Sequence, residues 1–463
     1  MLRNDANETL SRVGKGTPMG ELFRRFWLPA VLTSEVAEPD CDPVRLRILG
    51  EDLVAFRDTL GRVGIVAAHC AHRLAPLYFG RNEDCGLRCL YHGWKFDVEG
   101  NCVETPNVPA DAPDIRSRVG ITAYPVEEHS GVVWVYMGPA EVKPPFPGHE
   151  YAHQPEGHYN ASRWVQRTNW SQGLEGEIDS SHISWLHRDF DKESTKQKST
   201  GAQMTNDAAP HIEIRQTEYG MVYGARRSHE GQYLWRVTQF MLPMFSLIPR
   251  APGEFERGGG RAWVPIDDNT TTVFSFGYRV NEPFDQAELD SYYRSGALFP
   301  PRIERGTFTC LDGTIIDHFL PVANKENDYL LDRQMQRTQN FSGIWGVHDQ
   351  DRALAENSKA LPGDPGIVDR SGEHLVSADR AVVAARRILL NMVDALQKGT
   401  EPAAVQDPNS FRVRAISKLT PIDTFDKFVE VYGAEFVPPA SVELGHKHDE
   451  GVGIENDKAD ASA

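Results

Sequence analysis

Cys70-Ala71-His72-Arg73 and Cys89-Leu90-Tyr91-His92-Gly93-Trp94, with sixteen residues between His72 and Cys89, are the stretches on which the fold turns. Two thiolates and two imidazoles could hold zinc tetrahedrally. A zinc finger, however, puts at least two residues between paired cysteines, whereas each short stretch here supplies one thiolate and one imidazole. That distribution suits a [2Fe-2S] cluster in which both thiolates hold one iron and both imidazoles the other, each loop straddling the two metals.

The flanking residues agree with this Rieske-type arrangement. Gly86, Gly93 and Gly100 let the backbone turn closely around inorganic sulfurs, and Arg73 and Trp94 directly follow ligand residues, where they can shield or brace the loops. Outward from them, residues 44–49, 53–57, 63–67 and 132–136 are short β-rich runs separated by Gly50, Gly61 and Gly131. Residues 41–145 are therefore expected to form a small antiparallel-β Rieske domain. Residues 19–27 predict a short helix within an N-terminal helical segment, 1–40, that packs on the catalytic part. Pro139, Pro144, Pro145 and Pro147 mark the far boundary.

The 463 residues leave ample chain for a second, larger domain. Lys and Arg number 49 against 66 Asp and Glu, a formal charge of −17, so the average surface repels polyanions and no nucleic-acid partner is expected. No apolar run approaches the ~18 residues that span a bilayer, and the amino terminus lacks an apolar signal core; the expectation is a cytoplasmic protein with no membrane partner. Six cysteines are too few for a disulfide-built scaffold, and Cys41, Cys85, Cys102 and Cys310 read as reduced thiols.

Residues 146–445 are read as the catalytic domain. Strands are predicted at 220–226, 233–239, 262–265 and 270–278, the middle two joined through a turn containing Gly258, Gly259 and Gly260. Apolar spacing over 378–396 followed by Gly399 predicts a terminal helix. The fold class is thus α+β, a small antiparallel-β domain plus a larger domain with a curved antiparallel sheet surrounded by helices. Residues 446–463, charged and poor in apolar side chains, read as a flexible acidic tail.

A redox cluster needs an electron acceptor. In Asn169-Trp170-Ser171-Gln172-Gly173-Leu174-Glu175-Gly176-Glu177-Ile178-Asp179-Ser180-Ser181-His182-Ile183-Ser184-Trp185-Leu186-His187, the i, i+3 spacing of Asp179 and His182 would put them on one helix face. His182 and His187 are five apart, so their convergence on a metal requires a bulge or a helix end. Two imidazoles and a distant carboxylate would make the facial triad of mononuclear non-haem Fe(II), with open positions for dioxygen and an organic substrate. Asn169 and Trp170 would flank that iron, or simply pack a helix.

Taken together, Cys-Ala-His-Arg at 70–73, Gly-Leu-Arg-Cys-Leu-Tyr-His-Gly-Trp-Lys-Phe-Asp at 86–97, and Glu-Ile-Asp-Ser-Ser-His at 177–182 with His187 resemble the Rieske non-haem iron aromatic ring-hydroxylating oxygenases. The subgroup that the chain resembles is the phthalate 4,5-dioxygenase-like one. The resemblance spans from residue 16 to the region of Asp351 and implies further roles. It nominates Asp351 as the carboxylate ligand, from the Gln350-Asp351 pair followed by Glu356; spacing alone does not decide this, and Asp349 competes, while Glu356 reads as a buried support. It gives Asp179 the role of an electron-transfer bridge between His92 of one subunit and His182 of its neighbour, across a head-to-tail interface that closes as a homotrimer or a stacked hexamer.

No flavin or nicotinamide fingerprint is visible, so electrons are expected from a separate NAD(P)H-dependent flavin/iron-sulfur reductase. The implied reaction is O2-dependent hydroxylation or cis-dihydroxylation of an aromatic carboxylate, phthalate-like or a larger biaryl or diaryl-ether acid. O-demethylation of a methoxylated, lignin-derived aromatic acid is the alternative. An electron-transfer protein with an inactive second metal site is the reading from another class. Arg226 and Arg236, and also Arg227, are candidates for a substrate carboxylate. Phe240 and Met244, in an apolar run, could line an aromatic pocket or an ordinary core strand.

Overall fold

The computed structural model describes residues 2–190, 204, 207–252, 257–296 and 299–438. The tail expected over 446–463 lies outside the described residues. Two helices open the chain, α1 (Asn4–Ser11) and α2 (Pro18–Phe23). Thr17 caps α2 through its hydroxyl, which accepts from Gly20 N at 3.2 Å, and Pro18 occupies the first turn, where its missing N–H costs nothing.

The helix expected over 19–27 stops at Phe23, because Trp27–Leu32 becomes strand β1, buried at all six positions. Next come β2 (Val44–Ile48), β3 (Glu51–Arg57) and β4 (Val63–Ala67), then the short strands β5 (Arg81–Glu83), β6 (Gly86–Arg88), β7 (Lys95–Phe96) and β8 (Cys102–Glu104). After them come β9 (Ala123–Tyr124), β10 (Val126–His129) and β11 (Val132–Tyr136). They form three small antiparallel sheets, ordered β1-β11-β10, β2-β3-β4-β9 and β5-β6-β7-β8. Leu49 and Gly50, both at positive φ, make the two-residue β2–β3 turn, whose twist suits a hairpin.

The second part begins with β12 (Tyr159–Gln166), α3 (Trp170–Ile178), β13 (His211–Thr217), β14 (Gly220–His229) and β15 (Gln232–Met241). It continues through β16 (Phe245–Leu247), β17 (Arg257–Pro265), β18 (Thr271–Arg279), α4 (Gln286–Ser295), β19 (Ile303–Thr309) and β20 (Ile315–Pro321). The remaining elements are α5 (Arg333–Thr338), α6 (Val347–Ala355), β21 (Ala360–Leu361), β22 (Asp364–Val368), α7 (Arg380–Gln397), β23 (Ile416–Thr420) and α8 (Phe425–Tyr432).

The expectation of a curved sheet is corrected. The large sheet is an open path, β12-β18-β17-β16-β15-β14-β13, with β23 added beside β15, and its end strands β12 and β13 do not meet. The charged alternation of His211, Glu213 and Arg215 on the outermost strand disfavours further pairing there. The glycine turn is corrected as well: Gly258, Gly259 and Gly260 lie inside β17. A Cβ on Gly258 would fall 1.9 Å from the Tyr278 ring, and one on Gly260 would fall 2.5 Å from Leu247, so these glycines permit close packing across the sheet.

Hydrogen bonds and ion pairs tie the two parts together. Leu49 N and Gly50 N donate to the carbonyls of Pro265 and Ile266 at 2.9 and 2.8 Å. Arg45 pairs with Asp317 on β20 at 2.8 Å, and buried Arg163 on β12 forms a two-pronged pair with Glu35 at 2.7 Å on each arm. Helices α1, α2 and α7 pack together, and α3 lies against β16 and β17. This packing fixes where α3 ends, and with it the position of Asp179 and the two histidines beyond.

Candidate active site

The two cysteine-histidine loops have matching geometry. In the first, Leu74 N donates to Cys70 O at 2.9 Å with Leu74 at φ +56°; in the second, Gly93 N donates to Cys89 O at 2.9 Å with Gly93 at φ +76°. Each loop thus closes four residues after its cysteine. His72 and His92 come together, ring centroids 4.6 Å apart, and His72 stacks on Trp94 at 4.6 Å and 7°. Trp94 is held by its indole N–H, which donates to Asn107 Oδ1 at 2.7 Å, and Arg73 covers Tyr91 at 5.4 Å.

These residues fit a [2Fe-2S] cluster. Cys70 and Cys89 are both free, buried thiols, and His72 Nδ1 is buried without a hydrogen-bond partner. An orphaned ring nitrogen beside two buried sulfurs is costly unless a metal accepts it. Burial, reinforced by Cys89, pushes the Cys70 thiol up to about 11, as expected of a thiol that loses its proton only to a metal.

Helix α3 ends at Ile178, with Asp179 as its C-cap, and His182–Ser184 form a separate 3-10 turn. Asp179 and His182 therefore do not share a helix face. Asp179 Oδ1 instead accepts from Ser181 N at 2.7 Å and Ser181 Oγ at 2.8 Å, an Asx-type turn that aims Oδ2 at His182 Nδ1, 3.4 Å away. The break in the helix brings His182 Nε2 within 3.2 Å of His187 Nε2. Asp351 Oδ1, from α6, lies 3.2 Å from His187 Nε2 and 3.7 Å from His182 Nε2.

Ligand atoms ~2 Å from a divalent metal at right angles stand about 3 Å apart, so the three atoms fit one ion. The electrostatics agree. Burial would raise the Asp351 carboxyl, but His187 and His182 hold it down at about 2. Burial likewise opposes the charged form of His182, and Asp179 and Asp351 overcome that to raise it. His187 is oriented by Gln350, whose Oε1 accepts from Nδ1 at 2.6 Å while its amide N donates to Ile344 O at 2.9 Å. Such support behind a metal ligand is typical.

The competing carboxylates are occupied elsewhere. Asp349 pairs with Arg352 at 2.9 Å, and Glu356 accepts from Arg352 at 3.0 Å and from Tyr329 at 2.7 Å. Asn169 lies at the opposite end of α3 from Asp179, where it caps the helix: Oδ1 accepts from Ser171 N at 3.1 Å, and Nδ2 donates to Ser11 O and Asp268 O. Trp170 packs edge-on against Phe23 at 4.8 Å. Phe240 and Met244 are fully buried in the main core.

The candidate arginines divide between the two faces of the sheet. Arg226 is turned away from α3, lying over Tyr233 at 4.5 Å and donating to Asp423 O. Arg236 is on the other face, opposite Ala225 and diagonal to Tyr223 and Arg227. Tyr223 Oη donates to Ile178 O at 2.6 Å and Arg227 donates to Ser180 O and Oγ, so this face looks onto the turn that holds Asp179. Arg236 is buried, has no hydrogen-bond or ion-pair partner among the described residues, and is lowered to about 10 by burial and by Arg227.

Sequence reasoning missed the parts played by Ser181, Gln350, Tyr223 and Arg227. Only Ser181 carried a local signal, since Asp-Ser-Ser is a composition that favours Asx-turns; the others act across elements remote in sequence.

Residues 26–125 match the Rieske [2Fe-2S] domain family, and residues 135–422 match the family described as LigXa C-terminal domain like. The chain is 37% identical to the 3-chlorobenzoate-3,4-dioxygenase oxygenase subunit of Comamonas testosteroni, covering 90% of this chain and 94% of that one. It is 38% identical to the phthalate 4,5-dioxygenase oxygenase subunit of Pseudomonas putida, covering 86% and 88%. It is also 30% identical to the 5,5'-dehydrodivanillate O-demethylase oxygenase subunit of a Sphingobium species, covering 92% and 88%. The chain belongs to the Rieske-domain aromatic ring-hydroxylating oxygenases. It is a Rieske non-haem iron oxygenase that depends on a separate reductase, and the phthalate 4,5-dioxygenase group is one of several comparably similar groups within the family. No helix among the described residues is long and apolar enough to cross a membrane.

Proposed function

We propose that this chain is the terminal oxygenase component that hydroxylates or cis-dihydroxylates an aromatic carboxylate, phthalate-like or a larger biaryl or diaryl-ether acid. The observation that carries the reading is the convergence of His182 Nε2, His187 Nε2 and Asp351 Oδ1 in a chain that also holds a Rieske domain. Cys70 and Cys89 would hold one iron of the [2Fe-2S] cluster and His72 and His92 the other; His182, His187 and Asp351 would hold the mononuclear Fe(II). When bound, these groups supply electron transfer and dioxygen activation, which no side chain provides alone.

The protein's own residues supply orientation and charge. Gln350 and Asp179 fix the rings of His187 and His182, and Asp351 stays ionised at neutral pH. Arg236 is the best-placed anchor for a substrate carboxylate, because it is buried on the sheet face that looks onto the turn of Asp179, with no anionic partner among the described residues, and a carboxylate could pair with it bidentately. Arg226 faces the wrong side for that task. The similarity to an O-demethylase supports oxidative demethylation of a methoxylated aromatic acid as the second reading.

Asp179 is proposed as the electron bridge from His92 of one subunit to His182 of the next, in a head-to-tail homotrimer or stacked hexamer. Among the described residues, its side chain accepts from Ser181 and lies 3.4 Å from His182. The rim of the cluster exposes Leu74, Leu90 and Tyr91, and the region of the iron site exposes Trp185 and Trp345, apolar surface suited to such an interface.

The test is a single-turnover reaction of the iron-loaded, prereduced protein with O2 and a panel of phthalates, methoxybenzoates and diaryl acids, read by product mass. A gain of two oxygens and two hydrogens establishes cis-dihydroxylation, and a gain of one oxygen establishes monohydroxylation. Loss of CH2 with formaldehyde instead establishes the second reading. No product from any acid overturns the proposed substrate class.

A further inference from the structure

The three atoms that converge at the iron site come from two pieces of chain 164 residues apart, His182 and His187 just beyond α3 and Asp351 in the middle of α6. Their spacing depends on how the end of α3 sits relative to the start of α6. One side chain touches both. Arg261, buried on β17, donates through Nη1 to Glu177 Oε1 in the last turn of α3 and through Nη2 to His348 Nε2 in the first turn of α6, the latter at 2.9 Å. Arg261 and His348 are buried, and the Glu177 side chain is only 8% exposed.

A guanidinium only donates, so in this contact His348 Nε2 accepts. His348 stands three residues before Asp351 on the same helix, its ring 5.2 Å from that of Trp164, and Glu177 stands two residues before Asp179. We propose that Arg261 is a positioning residue for the mononuclear site, a rigid planar spacer that sets the separation of α3 and α6 and so the distance between Asp351 and the two histidines. The proposal rests on the reading of His182, His187 and Asp351 as iron ligands. Lysine cannot replace it, because one ammonium on a flexible stem does not hold two acceptors at a fixed separation. Gln350 works differently, since it turns a single ligand ring and does not space the helices.

The test compares the holoenzyme with Arg261→Gln, Arg261→Lys and His348→Phe by three readouts: competition of the mononuclear iron with a chelator, the electron paramagnetic resonance of the ferrous site with nitric oxide as probe, and hydrogen peroxide released per O2 consumed. Arg261→Gln and Arg261→Lys are expected to weaken iron binding about 10- to 100-fold, broaden the resonance and raise peroxide release, while the Rieske absorption stays unchanged. Wild-type iron affinity and resonance in Arg261→Gln overturn the proposal. Should that variant fail to fold, His348→Phe is expected to give the same losses and His348→Gln, which keeps an acceptor, to restore them; a normal His348→Phe overturns the proposal too. The underlying reading is checked separately by His187→Ala, and full iron occupancy in that variant overturns the ligand assignment itself.

Discussion

Gln350 Oε1 accepts the Nδ1 proton of His187 at 2.6 Å, and this bond fixes which ring nitrogen faces Asp351. Replacing Gln350 by Leu removes the acceptor while keeping the bulk. Mononuclear iron affinity should fall about 10- to 100-fold, with Gln350→Glu retaining more of it. Iron content after dialysis, with the Rieske absorption as internal control, decides the point; undiminished iron in Gln350→Leu would show that His187 needs no such partner.

Arg236 and Arg226 offer a paired test of carboxylate recognition. Losing a charge-assisted bond of ~1.5–3 kcal/mol, Arg236→Gln should raise KM for an acid substrate about 10- to 100-fold and leave an uncharged analogue untouched. Arg226→Gln, on the other face of the sheet, should stay within about twofold of wild type. Equal effects of both variants would contradict the facing described.

Asp179→Asn keeps the shape of the turn, since an amide oxygen can still accept from Ser181, but it removes the charge beside His182. Both metal centres should remain and most coupled turnover should be lost. Normal turnover in this variant would sink the bridging role, and Cys70→Ser, by contrast, should abolish the cluster's visible absorption.

Stability in acid should depend on His149. Burial holds its imidazole down at about 3, and its ring packs among Tyr151, Phe245 and Phe411. A histidine depressed from an unfolded value near 6.5 contributes stability that is complete above that value and lost as pH falls toward 3, about 2 kcal/mol of it by pH 5. His149→Phe should flatten the fall in unfolding midpoint between pH 7.5 and 5; an unchanged slope would assign the acid sensitivity elsewhere.

Glu175, on the buried side of α3, sits between two buried arginines, accepting from Arg386 on both oxygens at 2.8 Å and from Arg370 at 3.1 Å. Although burial opposes its charge, these partners hold its carboxyl below the usual range, so its contribution is present at neutral pH and fades in acid. Glu175→Gln would leave buried Arg370 without its carboxylate and Arg386 with Glu373 alone, and should cost about 3–5 kcal/mol, measured by denaturant unfolding. A loss under 1 kcal/mol would mean that Glu373 alone neutralises Arg386.

Some of this architecture is written in short-range pattern. The cluster loops, the hairpin turn at Gly50 and the helix near residues 380–397 depend on neighbours a few positions apart, and spacing exposes them. The break after Ile178 was legible only as a requirement, because His182 and His187 could not meet on an intact helix. The glycines of β17 misled, since a run of Gly reads as a turn unless the Tyr278 ring packed over it is known.

Local sequence therefore carried the candidate cluster residues, since thiolate and imidazole in two matched short loops have few other uses, while Asp351 as the candidate carboxylate came from the family resemblance and not from spacing. Tertiary structure alone decided that the large sheet stays open, that Arg236 rather than Arg226 faces the turn of Asp179, and that Arg261 spans α3 and α6. Strand order, the facing of a residue and the meeting of side chains far apart in sequence are set by the packing of whole elements, and no local window of residues contains that information.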